Sequence, residues 1–391
     1  MSRRVGIEVS LAVAEAVKLA RTDVIAAYPI TPQTHIVEKL AEIVANGELD
    51  AEFIPVESEH SAQSACMGSS AVGARTFTAT AGQGLELMHE VMYVAASSRL
   101  PIVMTVANRA LSGPLSVWGD HSDVMAVRDV GWIQIFAETG QEVYDLVLCA
   151  FRIAEDPRVL FPVMVHLDGF QLTHVIEPMF LEDQSDVDRF LPPFHYDLAL
   201  RPEKPVSMGT FAPPIIYTEI RKSLNEALVS SKEIILETWK EFGKQFERHY
   251  SPVESYKADD AEVLLFVMGS LSQTAMIAAD SLREKGQKVG VVSLRLWRPF
   301  PFEEFRKAVS HVKVMAVLDR CVSLGGPAGP VCSEIRAALY PLEQKPSVVS
   351  FIGGLGGRDV LPEHFEYMVE RAMEIANNGS QEEYEMIGVR E

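Results

Sequence analysis

The stretch DVIAAYPITP, residues 23–32, decides the fold of this chain. Its apolar first half fits a buried strand. Its second half is a rigid turn, because Pro29 and Pro32 each fix a backbone φ angle and remove an amide donor. Helical periodicity precedes the stretch over residues 7–21 and follows it over residues 34–46. This order of helix, strand and helix predicts a layered α/β domain.

The same alternation continues as far as residue 167. Further strands are predicted at residues 52–56, 75–80, 101–107 and 159–167, with helices at 61–71, 85–97 and 142–155. Short strands that alternate with helices are typical of a parallel, doubly wound sheet, in which ligands bind at the carboxyl ends of the strands. We therefore predict a first domain over residues 1–175. Its candidate ligand-binding loops follow Tyr28, Val56, Thr80 and Ala107.

The second half of the chain contains a connector and a smaller α/β unit. Prolines recur in the connector, and a charged helix is predicted at residues 217–250. We therefore predict a surface connector with a long helix over residues 176–258. Strands and helices alternate again over 259–391, which predicts a small open sheet of four strands. Those strands are predicted at residues 262–268, 289–294, 312–318 and 347–351. The predicted fold class is α/β with two open doubly wound domains.

Composition sets limits on the partners and the compartment. The 391 residues include 35 Lys and Arg against 54 Asp and Glu, a formal net charge of −19. This negative charge disfavours binding to nucleic acid and to anionic membranes. The sequence shows no secretory signal and no apolar run long enough to cross a bilayer. We therefore expect a cytoplasmic protein with neither nucleic acid nor membrane as a partner.

The four cysteines do not form a metal-binding pattern. They include no CxxC pair, and no histidine lies at zinc-ligand spacing from any of them. Buried, reduced thiols are predicted instead. No metal site and no iron–sulfur cluster are expected in this chain itself.

The turn after the first predicted strand presents a hydroxyl group at the ligand edge. Thr31 lies between Pro29 and Pro32, and its hydroxyl could bind a small carboxylate or carbonyl group. Alternatively, Thr31 is the N-cap of the following helix in an ordinary strand-to-helix turn. The spacing alone leaves both interpretations open.

Two carboxylates and an imidazole lie in the sequence VESEHS, residues 56–61. A buried carboxylate such as Glu59 at this edge could act as a general base or bind a protonated heterocycle. Alternatively, the group is a capping cluster, since Ser58 and Glu59 both suit a helix N-terminus. This choice also stays open.

Glycines lie in the predicted turns of both domains. In FTATAGQGL, residues 77–85, Gly82 and Gly84 allow the backbone to approach a ligand closely. The third glycine of the dinucleotide-binding pattern is missing, so no nicotinamide or flavin site is predicted. The runs SLGGP at 323–327 and GGLGG at 353–357 are interpreted as tight turns after strands.

An arginine follows the strand that ends at Ala107. Arg109 is the right group to bind a substrate carboxylate through two parallel hydrogen bonds. Alternatively, Arg109 belongs to an Arg–Asp network with Asp120 or Asp123 that only holds the loop.

The motifs, taken in order, resemble the alpha chain of the pyruvate:ferredoxin oxidoreductases, within the 2-oxoacid:ferredoxin oxidoreductase family. The runs that carry this resemblance are YPITPQT at 28–34, ESEHSA at 57–62, TFTAT at 76–80, GQGL at 82–85, ANRALSGPLSVWGDHSD at 107–123, RDVGWI at 128–133, SLRLWRPFP at 293–301 and GGLGG at 353–357. The resemblance implies a pyrimidine-type thiamine-diphosphate-binding fold for the first domain. For the second domain it implies a fold similar to the C-terminal domain of transketolase.

The resemblance also implies roles for individual residues. Glu59 matches the carboxylate that binds the aminopyrimidine ring of thiamine diphosphate and favours the tautomer that takes the thiazolium proton. Thr31 and Arg109 match the catalytic-site residues that hold the 2-oxoacid. The implied cofactor-binding residues are Tyr28, Pro29, Ile30, Glu59, Thr80 and Gln83.

The implied reaction is oxidative decarboxylation of pyruvate with coenzyme A, which yields an acyl-CoA, carbon dioxide and reduced ferredoxin. The sequence lacks the family's Gly-Asp-Gly motif for magnesium and diphosphate, and it lacks the cysteine repeats of ferredoxin domains. The resemblance therefore implies a shared thiamine diphosphate, with the magnesium–diphosphate half on a beta subunit. Gamma and ferredoxin-like delta subunits would carry the clusters and dock ferredoxin.

The choice of 2-oxoacid stays open. Oxalate-using relatives have an arginine where this chain has Thr31, which favours a 2-oxoacid with one carboxylate. The alternatives are a branched or aromatic 2-oxoacid with the same chemistry, or a non-catalytic scaffold subunit.

Overall fold

Two sheets with helices on their faces form the architecture of the computed structural model, which describes residues 3–379 and 383–390. In chain order the strands are β1 (Arg3–Glu8), β2 (Val24–Ala27), β3 (Glu52–Pro55), β4 (Thr76–Thr80), β5 (Ile102–Asn108), β6 (Ile133–Phe136), β7 (Val163–Asp168), β8 (Ile176–Leu181), β9 (Val253–Tyr256), β10 (Val263–Val267), β11 (Val289–Leu294), β12 (Leu296–Arg298), β13 (Val314–Asp319), β14 (Ser347–Ile352) and β15 (Glu385–Met386).

The helices fall between the strands, as the sequence periodicity predicts. In chain order they are α1 (Val9–Leu19), α2 (Thr34–Ala45), α3 (Glu59–Ala71), α4 (Gly82–Leu87), α5 (His89–Ser97), α6 (Ser122–Ala126), α7 (Gly140–Glu155), α8 (Gln184–Phe190), α9 (Pro214–Phe246), α10 (Leu271–Glu284), α11 (Phe302–Val309), α12 (Pro330–Leu339) and α13 (Pro362–Asn378). A 3₁₀ turn at Leu355–Gly357 precedes α13. No helix in the described part of the chain is both long enough and apolar enough to span a membrane.

The first sheet has the strand order β12-β6-β7-β5-β4-β2-β3. Its neighbouring strands are parallel except at the β12–β6 edge, which confirms the predicted parallel sheet. Helices α1, α2 and α7 pack on one face, and α3 and α5 pack on the other. The sheet therefore brings the carboxyl ends of β2, β3, β4, β5 and β7 to one edge.

Two helix predictions in this domain need correction. The helix predicted at 7–21 begins only at Val9, because residues Arg3–Glu8 form β1, which pairs with β8 in a separate antiparallel sheet. The helix predicted at 85–97 is two helices, α4 and α5, which meet at Met88.

The second sheet has the strand order β15-β14-β13-β10-β11-β9. The four predicted strands form its centre, but the predicted number is wrong, because β9 and β15 extend the sheet at its two edges. Both added strands are too short to give a periodic signal. Strand β9 lies before residue 259, whereas β12 lies after it and pairs with β6 of the first sheet. The second sheet therefore includes a strand from the predicted connector, and the first sheet includes β12 from the predicted second unit.

A buried ion pair joins the carboxyl ends of the two sheets. Asp168, at the end of β7, accepts hydrogen bonds from His121 Nε2 at 2.9 Å and from the Ser270 amide at 2.7 Å. It also pairs with the guanidinium of Arg320, which follows β13. Burial alone raises the pKa of Asp168, but the Arg320 charge and the His121 and Ser270 contacts outweigh it and hold the pKa well below its usual value.

We expect Asp168→Asn to reduce the free energy of unfolding by about 3–5 kcal/mol, because it leaves the buried Arg320 without a counter-charge. The pKa of Asp168 is lower in the folded chain than in the unfolded chain. Its contribution is therefore complete above about pH 4 and is lost as the pH falls toward the folded-state pKa. Urea unfolding of wild type and variant is measured between about pH 7 and pH 3. The difference between their free energies of unfolding should become smaller as the pH falls.

Asp129→Asn is the matched control, because Asp129 forms exposed ion pairs at 3.5 Å with Arg128 and Arg298. Its expected effect is below about 1 kcal/mol. If both variants lost the same free energy of unfolding, burial would not make the Asp168–Arg320 pair more important for stability than the exposed Asp129 pairs.

Candidate active site

Four loops meet at the carboxyl edge of the first sheet. The loops after β2 and β5 contain Thr31 and Arg109, and the loops after β3 and β4 lead directly into Glu59 and Gln83 at the starts of α3 and α4. Parallel strands end at the same edge, so the sheet itself assembles residues that are distant in sequence.

The turn after β2 is closed by Gln33. Its side-chain Nε2 donates to the Tyr28 carbonyl at 2.9 Å, and its backbone amide donates to the Ile30 carbonyl at 2.9 Å. Helix α2 starts at Thr34 with Gln33 as its N-cap residue, so the alternative that Thr31 caps this helix is wrong. Thr31 is exposed and its hydroxyl is available to a ligand.

Glu59 begins α3 but does not serve as its cap. The cap is Ser58, whose Oγ accepts from the Ser61 amide at 3.2 Å, and Glu57 accepts from the Ser61 hydroxyl at 2.5 Å. The capping interpretation therefore holds for Ser58 and not for Glu59. Glu59 is only 5% exposed, and within the described residues its carboxylate has no hydrogen-bond or ion-pair partner. Because an unpaired buried carboxylate is costly, this arrangement suits a ligand that donates a hydrogen bond.

A glycine in α4 lies directly against the Glu59 carboxylate. A Cβ atom at Gly84 would lie 2.5 Å from Glu59 Oε1 and 2.6 Å from Thr80 Oγ1, so no larger residue fits without a shift. The hydroxyl of Thr80 and the Oε1 atom of Gln83 are buried without a hydrogen-bond partner in the described chain. Gln63, one helical turn after Glu59, likewise has both amide atoms unpaired. The pocket is polar and rich in unpaired acceptors and donors, as a nitrogen heterocycle requires.

The guanidinium of Arg109 contacts the turn after β2. Its Nη1 donates to the Thr31 carbonyl at 3.1 Å, and its Nε donates to the Ser116 carbonyl at 2.8 Å. Burial lowers the pKa of Arg109, and the charge of Asp123 opposes that effect. Within the described residues the Arg109 guanidinium makes no ion pair within 4.0 Å, but the Arg109 backbone amide donates to Asp123, so a contact between these two residues does hold the loop as the alternative predicts. The remaining N–H groups of the Arg109 guanidinium are available to bind a carboxylate.

Asp123, which the sequence indicates as an alternative partner of Arg109, organises this edge through backbone hydrogen bonds. Its Oδ2 accepts from the Arg109 amide at 2.9 Å and from the Gly82 amide at 3.0 Å. Asp123 is fully buried, and this burial raises its pKa to about 8 against the opposing amide hydrogen bonds. Its carboxylate ties the loop after β4 to the loop after β5.

The loop after β7 also belongs to the site and was not predicted. A Cβ atom at Gly169 would lie 2.3 Å from the Asn108 carbonyl and 2.7 Å from Pro32 Cγ. Glycine is therefore needed for β7 to approach the turn that contains Thr31. A glycine directly after a predicted buried strand was the available signal.

Large apolar side chains remain exposed around the same edge. Tyr28 is 39% exposed, Trp118 53% and Leu115 76%. Within the described residues no group of three or more His, Cys, Asp or Glu side chains could hold a metal ion. The four cysteines are buried, as predicted, and burial raises the pKa of the Cys66 thiol to about 12. The residues of this chain thus form one side of a polar pocket.

The parallel sheet brings Thr31, Glu59 and Arg109 to one edge, and family comparisons identify the chain as a thiamine-diphosphate-binding type. Residues 15–240 match the model for "Pyruvate flavodoxin/ferredoxin oxidoreductase, thiamine diP-bdg", and residues 261–365 match "Pyruvate:ferredoxin oxidoreductase core domain II". The chain belongs to the pyruvate flavodoxin/ferredoxin oxidoreductase family, and its enzyme class is 2-oxoacid:ferredoxin oxidoreductase.

Similar proteins of known name have nearly the same length. The chain is 51% identical over 365 residues to the pyruvate synthase subunit PorA of Methanothermobacter thermautotrophicus, covering 93% of this chain and 94% of that one. It is 47% identical over 371 residues to the ketoisovalerate oxidoreductase subunit VorA of Pyrococcus abyssi, covering 94% and 93% respectively.

Two solved structures share the fold. A 2-oxoglutarate:ferredoxin oxidoreductase from Magnetococcus marinus aligns with a TM-score of 0.74 at 20% identity, over 95% of this chain and 65% of that chain. A split-gene transketolase aligns with a TM-score of 0.53 at 14% identity, over 95% of this chain and all of that one. At these identities the likeness concerns the fold alone, and it confirms the predicted transketolase-like architecture.

Proposed function

We propose that this chain is the alpha subunit of a multi-subunit pyruvate:ferredoxin oxidoreductase. The complex would convert pyruvate and coenzyme A into acetyl-CoA and carbon dioxide, and it would pass the released electrons to ferredoxin. One observation carries the proposal: a buried Glu59 without a partner among the described residues lies at the same sheet edge as the Arg109 guanidinium. That guanidinium contacts the turn that contains Thr31.

The pocket beside Glu59 suits the aminopyrimidine ring of thiamine diphosphate. When bound, this cofactor supplies the electron sink that permits a 2-oxoacid to lose carbon dioxide. Glu59 would accept a hydrogen bond from a ring nitrogen, and the unpaired Thr80 and Gln83 side chains would bind neighbouring polar atoms. Tyr28, Pro29 and Ile30 would line the ring from the turn after β2. Gly84 permits α4 to lie directly against the Glu59 carboxylate.

The Thr31 turn and Arg109 would hold the substrate. The free part of the Arg109 fork would bind the 2-oxoacid carboxylate and turn the carbonyl carbon toward the cofactor. Thr31 offers a hydroxyl and no charge, which suits a substrate with one carboxylate. This assignment predicts weak use of 2-oxoacids that carry a second carboxylate.

Partner subunits would complete the site. The exposed Tyr28, Leu115 and Trp118 lie around the pocket, and an apolar rim of this kind is typical of a protein–protein contact. A beta subunit would bind the diphosphate and magnesium. Gamma and ferredoxin-like delta subunits would carry the iron–sulfur clusters and dock ferredoxin.

A branched 2-oxoacid is the second candidate substrate. The ketoisovalerate enzyme subunit is 47% identical to this chain, close to the 51% of the pyruvate synthase subunit. Pocket volume beside Thr31, Arg109 and Leu115 would decide between these substrates. A scaffold subunit without catalysis is a third alternative, and the retained Glu59 and Arg109 argue against it.

The decisive experiment is co-expression of this chain with the products of its neighbouring genes and purification of the complex without oxygen. Reduction of a viologen dye that depends on coenzyme A is then measured with pyruvate, 2-oxoisovalerate, an arylpyruvate and 2-oxoglutarate. We expect the highest kcat/KM with pyruvate. Highest activity with 2-oxoisovalerate would favour the second candidate, and a complex that binds the cofactor yet reduces no dye would favour the scaffold.

A further inference from the structure

The loop between β5 and α6 supports the Arg109 side chain. The Ser116 carbonyl accepts from Arg109 Nε at 2.8 Å, and the Trp118 carbonyl accepts from the Ala110 amide at 3.0 Å. The position of the guanidinium therefore depends on where residues 116–118 lie.

The second domain holds this same loop. The Gly356 amide donates to Asp120 Oδ2 at 3.0 Å, across 236 residues of sequence. Nearby, Arg320 Nη2 donates to the Gly119 carbonyl at 3.1 Å, and the His121 amide donates to the Arg320 carbonyl at 2.8 Å. Residues 119–121 are thus fixed from outside their own domain.

Glycine is required where the GGLGG turn meets the loop. Gly356 has a φ angle of 54° and Gly357 one of 76°, which side chains disfavour. A Cβ atom at Gly357 would lie 2.6 Å from Trp118 Cβ. No residue of the turn Leu355–Gly357 is buried, so the turn adds little to the core of the second domain.

We propose that the Gly356–Gly357 turn is a positioning element for the substrate-binding arginine. The turn fixes residues 116–120, and the Ser116 carbonyl in turn sets the Arg109 guanidinium beside Thr31. The turn itself does not touch the 2-oxoacid. This inference rests on the substrate-binding role proposed for Arg109, and it gives the GGLGG motif a role beyond that of a tight turn.

Gly357→Ala tests the proposal, with Gly325→Ala as its matched control. Gly325 lies in another turn of the second domain, has a φ angle of 74° and has no atom within 4 Å of an added Cβ. Both variants add a methyl group at a positive φ, but only Gly357→Ala collides with Trp118. In the reconstituted complex we expect Gly357→Ala to raise the pyruvate KM about tenfold, with kcat and the coenzyme A KM within about twofold. Gly325→Ala should leave all three unchanged.

Tryptophan fluorescence provides a readout that does not depend on activity. Trp118 is 53% exposed, whereas Trp132, Trp239 and Trp297 are at most 1% exposed, so acrylamide quenching of the full-length chain reports mainly on Trp118. We expect Gly357→Ala to change the quenching constant and Gly325→Ala to leave it unchanged.

Asp120→Asn is a second test, for use even where Gly357→Ala fails to assemble. An Asn side chain can keep the oxygen that accepts from the Ser122 amide at 2.9 Å, while its amide group cannot accept from Gly356. A rise in the pyruvate KM of several fold is expected.

The proposal is overturned if Gly357→Ala and Gly325→Ala show the same pyruvate KM and the same quenching. It is also overturned if the KM values for pyruvate and coenzyme A rise equally, because general damage would then explain the loss. A wild-type complex without activity on any 2-oxoacid would instead overturn the proposed function. The quenching comparison would still decide whether the turn positions the loop.

Discussion

Replacing Glu59 with Gln is expected to lower the kcat of the assembled complex by roughly 10²–10⁴-fold. Gln keeps the shape of the side chain beside Gly84 but removes the charge and half of the acceptor capacity. The ring nitrogen of the cofactor would lose the carboxylate that favours its activated tautomer. Viologen reduction with saturating pyruvate and coenzyme A measures the loss.

Glu57→Gln is the matched control for this prediction. Glu57 lies two residues earlier and is exposed, and within the described residues its side chain contacts the Ser61 hydroxyl and no other side chain. We expect its kcat to stay within about twofold of wild type, because this capping contact is remote from the ring. Bound thiamine diphosphate and subunit stoichiometry should be measured for both variants. Normal turnover by Glu59→Gln in an intact, loaded complex would remove Glu59 from the mechanism.

The elements that the sequence predicted well are those with long buried faces. Strands β5, β10 and β13 are fully buried runs, and α7 has a strong apolar stripe, so periodicity placed each within a few residues. The four loops at the ligand edge followed from the predicted strands β2, β3, β4 and β5 of the first sheet. A parallel sheet leaves no other place for them once the strand order is set.

The elements that the sequence did not predict depend on distant partners. The three residues of β12 form a strand because β6 lies beside them, and nothing in LWR itself demands an extended edge. Similarly, β1 pairs with β8 from across the chain. The edge strand β12 and the separate β1–β8 pair gain their stability from the neighbouring strand.

The candidate site shows the same division. Spacing could not decide whether Glu59 or Ser58 caps α3, because both suit the position, and only the hydrogen bond from the Ser61 amide to Ser58 separates them. The backbone carbonyl groups that accept hydrogen bonds from Arg109 could not be predicted either, because every residue has a backbone carbonyl and its identity gives no signal. Gly169 and Gly357 act by permitting close approach, which becomes visible only when the neighbouring segment is in place.

Replacing Arg109 with Ala is expected to raise the KM for pyruvate about 10–100-fold, as loss of a charge-assisted, two-point hydrogen bond predicts. Arg109→Lys should recover only part of the loss, because an ammonium group cannot contact the Thr31 carbonyl, the Ser116 carbonyl and a carboxylate in the same planar geometry. The KM for coenzyme A should not change, since nothing links the guanidinium to that substrate. Steady-state kinetics with each substrate varied in turn measures these effects.

Arg128→Ala controls for loss of any positive charge near the edge. Arg128 is partly exposed, donates to the Met125 carbonyl at 2.8 Å and makes only a surface ion pair with Asp129. Its removal should leave the pyruvate KM within about twofold of wild type. If Arg109→Ala behaved like Arg128→Ala, the carboxylate would have to bind elsewhere. The carboxylate would then need a different cationic group, since among the described residues the Arg109 guanidinium is the one that hydrogen-bonds Thr31.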